Sequence, residues 1–250
     1  GTIKRTSLDA YSNPRKAGII AITLEHGDEL IEALISDGKG EILLMTRQGK
    51  AIRFPEEQAR EVGRSARGVR GIRLGKGDAV MAMTLAQKDA ELLTVTTLGF
   101  GKRSPVEEYR LQSRGGKGII NIKVTQKNGE VVGAKTVSDK DEVMLITHDG
   151  MMVRSPVKDI RSTGRGAQGV RLINMKGKDR VASVARVAPK DEEAEESALP
   201  KPAAAEASEA PEAVEGAPAP EKKAAPKARA QAPKSKPKTR AVAAKTKRKK

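Results

Sequence analysis

Apolar residues recur along this chain in short runs that are separated by glycines or by charged turns. Each of the longest runs has six residues, begins with Glu and ends with Thr: 41–46, 91–96 and 142–147. Near-continuous apolar runs of this length are typical of β-strands that are covered on both faces. A second, less continuous apolar run follows a charged turn in every unit, at 28–33, 78–83, 130–134 and 179–184. Because no convincing helical period is present, the pattern predicts an all-β fold.

These runs belong to a repeat of about 50 residues. In every unit a glycine stands four residues before an arginine, and a second glycine follows that arginine and opens another apolar stretch. The arginines are Arg5, Arg53, Arg103 and Arg154, and the second glycines are Gly18, Gly68, Gly118 and Gly169. Roughly four strands per unit predict a propeller-like array of blades, in which neighbours must stack because one blade cannot seal its own core. The chain opens inside a unit, so we expect a fragment of a longer polypeptide.

Composition divides the chain at Ala188. Residues 1–187 carry the apolar runs and form the predicted blades, about three and a half of them, whereas 188–250 are mostly Ala, Pro, Glu and Lys. Such a composition predicts a disordered tail, since too little apolar surface is available to offset the entropy of ordering. The tail is acidic over 191–221 and basic over 222–250. In one interpretation the acidic block competes with DNA for the basic surface of the blades, while the Lys-rich end binds DNA nonspecifically. In the other, the tail is only a solvating linker.

The net charge of +16 and the pI of about 10.0 predict a polyanionic partner. DNA, ribosomal RNA and anionic membranes all satisfy this criterion. No apolar run approaches the roughly 20 residues that span a bilayer, and no signal peptide is evident, so we expect a soluble, intracellular protein without a membrane partner. The chain has no cysteine, and His26 and His148 stand alone in turns, so neither disulfides nor a metal site is expected.

Every unit carries a basic, glycine-containing loop before its second glycine, at 13–18, 63–68, 112–118 and 164–169. Glycines let backbone N–H groups approach a phosphate, and Arg and Lys add charge-assisted hydrogen bonds, so this loop suits a phosphodiester backbone. Ordinary solvated turns are the alternative, but they do not explain why the excess charge is positive in all four loops. Aromatic residues make up only 2% of the chain, which favours duplex DNA over single strands held by base stacking.

The candidate DNA-binding residues lie in these loops and in the strands that follow them. They are Arg15, Lys16, Arg64, Arg67, Arg70, Gln112, Arg114, Gly115, Gly116, Lys117, Gly118, Arg165 and Arg171. Stacked blades would present the loops as a curved row on which a duplex can bend.

A catalytic role is not predicted for this chain. Tyr11 and Tyr109 occupy one repeat position that holds Ala59 and Ile160 in other units, which predicts an apolar filler and not a nucleophile. The paired carboxylates Glu56-Glu57 and Glu107-Glu108 fall in a repeated turn without a base or a metal cluster. No phosphate-binding P-loop is present. We expect no cofactor in this chain.

Four stretches resemble the C-terminal β-pinwheel family of bacterial gyrase A subunits: 1–6, 15–22, 63–74 and 164–172. The stretch Gln112-Ser-Arg-Gly-Gly-Lys-Gly118 is similar to the family's box of Gln, basic, Arg, Gly, Gly, basic and Gly, with Ser113 in place of a basic residue. The resemblance implies six blades with the principal box in the first, so 112–118 would be a degenerate copy in a middle blade.

The resemblance also implies a role. The domain would bend duplex DNA around its rim while the catalytic subunits, using ATP and Mg, introduce negative supercoils. Its implied partners are a second A subunit with the gyrase B subunit in an A2B2 heterotetramer, and its implied location is the nucleoid in the cytoplasm. The A subunit of topoisomerase IV is the nearest relative, usually without the box, so the box-like copy favours gyrase. A propeller scaffold that binds RNA or protein is the alternative from another class.

Overall fold

The computed structural model describes residues 1–187, which form a series of antiparallel β-sheets. The strands are β1 Thr2–Ile3, β2 Glu41–Thr46, β3 Lys50–Pro55, β4 Val69–Arg70, β5 Val80–Leu85, β6 Glu91–Thr96, β7 Phe100–Pro105, β8 Ile119–Ile120, β9 Val131–Val137, β10 Glu142–Thr147, β11 Met152–Pro156, β12 Val170–Arg171 and β13 Val181–Val187. The helical elements in this range are short 3-10 turns: Leu8–Tyr11, Glu56–Gln58, Val106–Glu108 and Val157–Asp159. The all-β prediction is confirmed. The predicted tail lies outside the described residues, and the division at 188 stays a prediction.

Two blades are completed by a strand from the next repeat, whereas a third described sheet has only β11, β10 and β13. Two sheets have the orders β5-β2-β3-β8 and β9-β6-β7-β12. In the first of these sheets, β2, β3 and β5 come from one repeat, whereas β8 comes from the following one and pairs Ile119 with Ala51. The pairs β1 with β4 and β7 with β12 repeat the same exchange. Because β4, β8 and β12 each pair with a strand of the preceding repeat, these units are interlocked as well as stacked.

The apolar core lies between successive sheets. Leu43 and Met45 of β2 pack with Leu92 of β6, and Leu93 and Val95 of β6 pack on their other side with residues of β10. Every residue of β2 and β6 after the initial Glu is buried. This confirms the predicted coverage on both faces for β2 and β6, but the prediction is wrong for β10, where Met144 and Ile146 are only half-buried.

The predicted strand at 28–33 is not formed, although its counterparts in later repeats appear as β5, β9 and β13. Those three strands pair with the first strand of their own hairpin, as β5 does with β2. Residues 28–33 pair with no strand among residues 1–187, and Leu30 and Ile31 are exposed.

The second glycine of the second, third and fourth units is required where the lent strand meets its acceptor, whereas a Cβ at Gly18 would meet nothing within 4 Å. Gly118 has a φ of +68°, a left-handed conformation that side chains disfavour, and a Cβ there would lie 2.6 Å from the Ala51 carbonyl oxygen. Gly68 and Gly169 have the same two features, against the carbonyls of Ile3 and Gly101. Residues with a side chain would force the lent strand away from the preceding repeat.

We therefore predict that Gly118→Ala lowers the free energy of unfolding by about 2–3 kcal/mol, because it adds left-handed strain and a contact with rigid backbone. Urea denaturation of the full chain measures the effect.

The matched control is Gly166→Ala in loop 164–169, where an added Cβ meets nothing within 4 Å. This control should shift the midpoint little. Equal destabilisation by the two substitutions would contradict the role given to Gly118.

Candidate nucleic-acid interface

Three of the basic loops each accept a hydrogen bond from the preceding repeat. The backbone N–H of Arg73 donates to the Gly116 carbonyl at 2.8 Å, and that of Lys123 donates to the Ala167 carbonyl at 3.1 Å. These donors stand at one position, five residues after the second glycine. At the first junction the Thr23 hydroxyl donates to the Ser65 carbonyl at 2.6 Å. Loops 63–68, 112–118 and 164–169 therefore lie side by side, and we call this edge the rim.

Two of the predicted DNA-binding arginines hold the rim together. Arg114 donates through Nε to the Gln58 carbonyl at 2.8 Å and through Nη1 to the Arg70 carbonyl. At the equivalent position, Arg165 donates through Nη1 to the Ile120 carbonyl at 3.1 Å. Both side chains are half-buried. These arginines contribute positive charge, but much of their hydrogen-bonding capacity fixes each loop against the preceding repeat.

The other predicted cations are placed differently. Arg15, Lys16, Arg70 and Lys117 are exposed on the loops and on the strand that follows one of them. Within residues 1–187, their side chains have neither an ion pair nor a hydrogen bond to the protein.

Three further predicted arginines remain, of which two have side-chain partners and the third is half-buried. The exposed Arg67 pairs with Glu25 at 3.0 Å. The guanidinium of Arg171 lies 5.3 Å from the centre of the Phe100 ring, which is a cation–π distance. Arg64 is half-buried, and its carbonyl accepts a hydrogen bond from the Lys4 ammonium.

The remaining predicted residues have backbone or packing roles. The N–H of Gly115 donates to the Gly71 carbonyl at 2.7 Å, and that of Gln112 donates to the Arg53 carbonyl at 2.9 Å. A Cβ added at Gly116 would lie 3.4 Å from the Ile52 side chain, so this loop rests on the apolar core. Gly118 opens the lent strand, as described above.

The arginines that mark the repeat clamp neighbouring repeats. Arg53 pairs with Glu41 at 2.5 Å and donates to the carbonyls of Val106 and Tyr109 in the next repeat, at 3.0 and 3.2 Å. Arg103 acts likewise, with Glu91 at 2.8 Å and the Ile160 carbonyl at 2.5 Å. Each clamp fixes the 3-10 turn of the following repeat, and with it the chain that leads into the next loop.

A buried lysine lies beneath loop 164–169. Lys102 of β7 is fully buried, and its Nζ donates to the Ser104 hydroxyl at 2.6 Å and to the Gly164 carbonyl at 3.0 Å. Burial lowers the pKa of Lys102 to about 8; the nearby Arg165 lowers it further, while Glu108 opposes the shift. Ile52 fills the equivalent position in the preceding repeat. The ammonium is visible from sequence only as a polar residue at an otherwise apolar repeat position.

Tyr109 confirms one sequence prediction and corrects a detail of it. The side chain is fully buried as predicted, but its hydroxyl is used, since it donates to the Asn121 Oδ1 at 2.6 Å. Burial raises the pKa of Tyr109 above its ordinary value. Nucleophilic chemistry at this hydroxyl would require its exposure and deprotonation, and the site provides neither.

Arg73 and Lys123 are absent from the predicted set, although both are exposed where successive loops join. Their signal in the sequence is a basic residue at the same place in two units.

Across residues 1–187, no three His, Cys, Asp or Glu side chains are grouped closely enough to bind a metal ion. Within the same range, no helix has the length and apolarity to cross a membrane.

Interlocked four-stranded blades with a serial row of basic loops define a propeller-type domain with a cationic rim. Comparison with known proteins agrees with this class. The family described as the DNA gyrase C-terminal domain, beta-propeller, matches residues 1–37, 40–87, 90–138 and 141–188. The chain belongs to this family.

Individual relatives are described as DNA gyrase A subunits. The DNA gyrase A subunit of Halalkalibacterium halodurans is 58% identical over 196 residues, which are 78% of this chain and 24% of that protein. The DNA gyrase A subunit of Clostridium acetobutylicum is 47% identical over 193 residues, which are 77% of this chain and 23% of that protein. The chain thus spans about a quarter of the length of these relatives.

Two solved structures share the fold at recognisable sequence identity. The C-terminal domain of DNA topoisomerase IV superposes with a TM-score of 0.72 at 28% identity, over 75% of this chain and 59% of that one. The DNA gyrase A C-terminal domain superposes with a TM-score of 0.68 at 27% identity, over 74% and 62%.

The position of Lys102 predicts a pH dependence of stability. Its pKa is about 8 in the folded protein against an ordinary value of 10.5, so above about pH 8 the unfolded chain binds a proton that the folded chain has released. The free energy of unfolding should therefore rise between about pH 8 and pH 10, by about 1–3 kcal/mol.

Urea denaturation of the full chain at several pH values measures this rise, which Lys102→Met should remove. Lys88→Met, at an exposed position without side-chain partners in the described range, should retain it. An unchanged rise in Lys102→Met would show that another group is responsible.

Proposed function

We propose that this domain binds duplex DNA along its rim and bends it, as the C-terminal DNA-wrapping domain of a gyrase A subunit. The observation that carries the proposal is the series of hydrogen bonds that sets loops 63–68, 112–118 and 164–169 side by side. A stiff polyanion that lies along this edge meets several cationic loops at once. Membership of the gyrase C-terminal family supports the same role.

The physical basis is phosphate binding without base reading. A duplex carries a negative charge about every 1.7 Å along its axis, so a row of cations releases many counterions when it binds. Smooth bending of a short site costs about 1–6 kcal/mol, which additional phosphate contacts can offset. Because Arg114 and Arg165 already fix their loops, little ordering of the loops is required when DNA binds.

In this proposal the catalytic steps belong to other parts of a gyrase. The domain supplies a bent DNA segment, while ATP-dependent strand passage is performed by the catalytic region of the A subunit together with a gyrase B subunit. An A2B2 assembly in the cytoplasm, associated with the nucleoid, is the implied setting. The DNA gyrase A relatives, at 58% and 47% identity, support this setting.

Length dependence and topology test the wrapping proposal. The full chain should bind duplexes of about 150 base pairs more tightly than duplexes of about 40, since only the longer ones can follow several loops. The logarithm of affinity should fall with the logarithm of salt by about 0.9 per neutralised phosphate.

Closed circular DNA that is relaxed in the presence of the domain should also acquire a shifted linking number. Tight binding with neither the length dependence nor the linking shift would contradict wrapping.

Substitutions in loop 112–118 separate binding from loop positioning. Lys117→Ala should weaken DNA binding and leave the unfolding midpoint unchanged, because the exposed Lys117 side chain has no partner among the described residues. Arg114→Ala should weaken binding and also destabilise the fold by about 1–3 kcal/mol, since it removes hydrogen bonds to the carbonyls of Gln58 and Arg70.

Gel shift and urea denaturation provide the two measurements. Arg114→Lys is the matched control, which keeps the charge but loses the guanidinium fork. An unaltered salt dependence in Lys117→Ala would remove Lys117 from the interface, and an unaltered midpoint in Arg114→Ala would refute the positioning role.

A further inference from the structure

Three short segments, 59–61, 109–111 and 160–162, lead into the basic loops of the rim. Just before the first segment, the Gln58 side chain accepts a hydrogen bond from the Arg114 backbone N–H of the next repeat's loop, at 2.7 Å. Just after it, the Val62 N–H donates to the Arg5 carbonyl at 3.0 Å, and the chain enters its own loop, 63–68. The second segment has the same course. The first two segments therefore lie between two neighbouring basic loops, and the third leads into loop 164–169.

The first and last residues of each segment are fixed to the protein. Ala59, Tyr109 and Ile160 are buried, and Arg53 and Arg103 bind the carbonyls of the latter two. The last residues form bridges to the hairpins: Glu61 with Arg5, Leu111 with Arg53 and Ser162 with Arg103. The buried first residues have extended backbone angles. The middle residue of each segment faces solvent.

That middle residue is an arginine in every segment: Arg60, Arg110 and Arg161. All three are exposed, and within residues 1–187 none of their side chains makes a hydrogen bond or an ion pair. The loop arginines Arg114 and Arg165 differ, because their donors are partly directed at protein carbonyls. The three segments thus present guanidinium groups with all of their donors available.

We propose that Arg60, Arg110 and Arg161 are phosphate-binding residues that contact duplex DNA beside the basic loops, and that Arg60 and Arg110 make the cationic rim continuous from loop 63–68 to loop 164–169. A guanidinium fork matches two phosphate oxygens, and its charge adds to that of the flanking loops. The regular recurrence of the three arginines fits a ligand whose charge is itself regularly spaced, as a duplex backbone is. This inference rests on the proposed function and extends it to residues outside the basic loops.

The test compares two triple variants of the full chain. In the first, Arg60→Gln, Arg110→Gln and Arg161→Gln are combined. The control combines Lys39→Gln, Lys88→Gln and Lys140→Gln, which removes equal charge from exposed turns before β2, β6 and β10. None of these three turns is hydrogen-bonded to a rim loop. Both variants are titrated with a duplex of about 150 base pairs over a series of salt concentrations.

The arginine variant should weaken binding by about 10- to 100-fold and reduce the magnitude of the salt slope by about 2.7, at an unchanged unfolding midpoint. The lysine variant should change both quantities much less. An arginine variant that matches the lysine control, or that binds more tightly than the unsubstituted chain, would overturn the inference.

The two proposals fail in different ways. If the unsubstituted chain still prefers long duplexes while the arginine variant behaves like the control, only the inference is lost. If the unsubstituted chain shows neither length preference nor a steep salt slope, the proposed function is lost, and this inference with it.

Discussion

The fold depends on one backbone contact that recurs between repeats, where a left-handed glycine lies against the acceptor strand of the preceding repeat. At Gly118 the space for a side chain is taken by the Ala51 carbonyl, and the same is true of Gly169 and Gly101. This contact lets a repeat lend its short strand, which completes the preceding sheet. The basic loop ends at that glycine, so the contact that interlocks the repeats also fixes where the loop stands. Blade assembly and the placement of rim charge therefore have a common structural origin.

Arginine has three separate structural settings in this array. Arg53 and Arg103 are clamps that bind an acidic residue of their own hairpin and carbonyls of the next repeat. Arg114 and Arg165 are loop arginines that bind carbonyls of the preceding repeat. The third setting is exposed, on the loops and between them. The first two sets hold the third in place, so a high arginine content is not equivalent to a large binding surface.

The sequence predicts those elements that depend on local pattern. The runs 41–46, 91–96 and 142–147 coincide with β2, β6 and β10, because short apolar runs bounded by turns favour strands. The pairing of strands between repeats is not predicted from local pattern. The reason is that β8 has only two residues and its partner Ala51 is distant in sequence. The basic loops are also recognisable, but a basic residue has the same appearance in sequence whether its donors face solvent or a carbonyl. From sequence alone, Arg114 is consequently predicted only as a DNA-binding residue, and its role in positioning the loop is missed.

The repeats are similar in backbone and unequal in chemistry. Loop 112–118 rests on Ile52 and is capped by the amide of Gln58, whereas loop 164–169 rests on the Lys102 ammonium and is capped by the carboxylate of Glu108. Lys102 and Glu108 replace Ile52 and Gln58 of the preceding repeat. At neutral pH the positive charge added beneath loop 164–169 is therefore largely balanced by the negative charge added at its cap. Once Lys102 loses its proton, near pH 8, the carboxylate stays without this counter-charge, and the potential at loop 164–169 becomes less positive than at its neighbour. Equivalent loops on a periodic scaffold can therefore respond differently to pH, because buried residues beneath them, as well as exposed residues, set the local field.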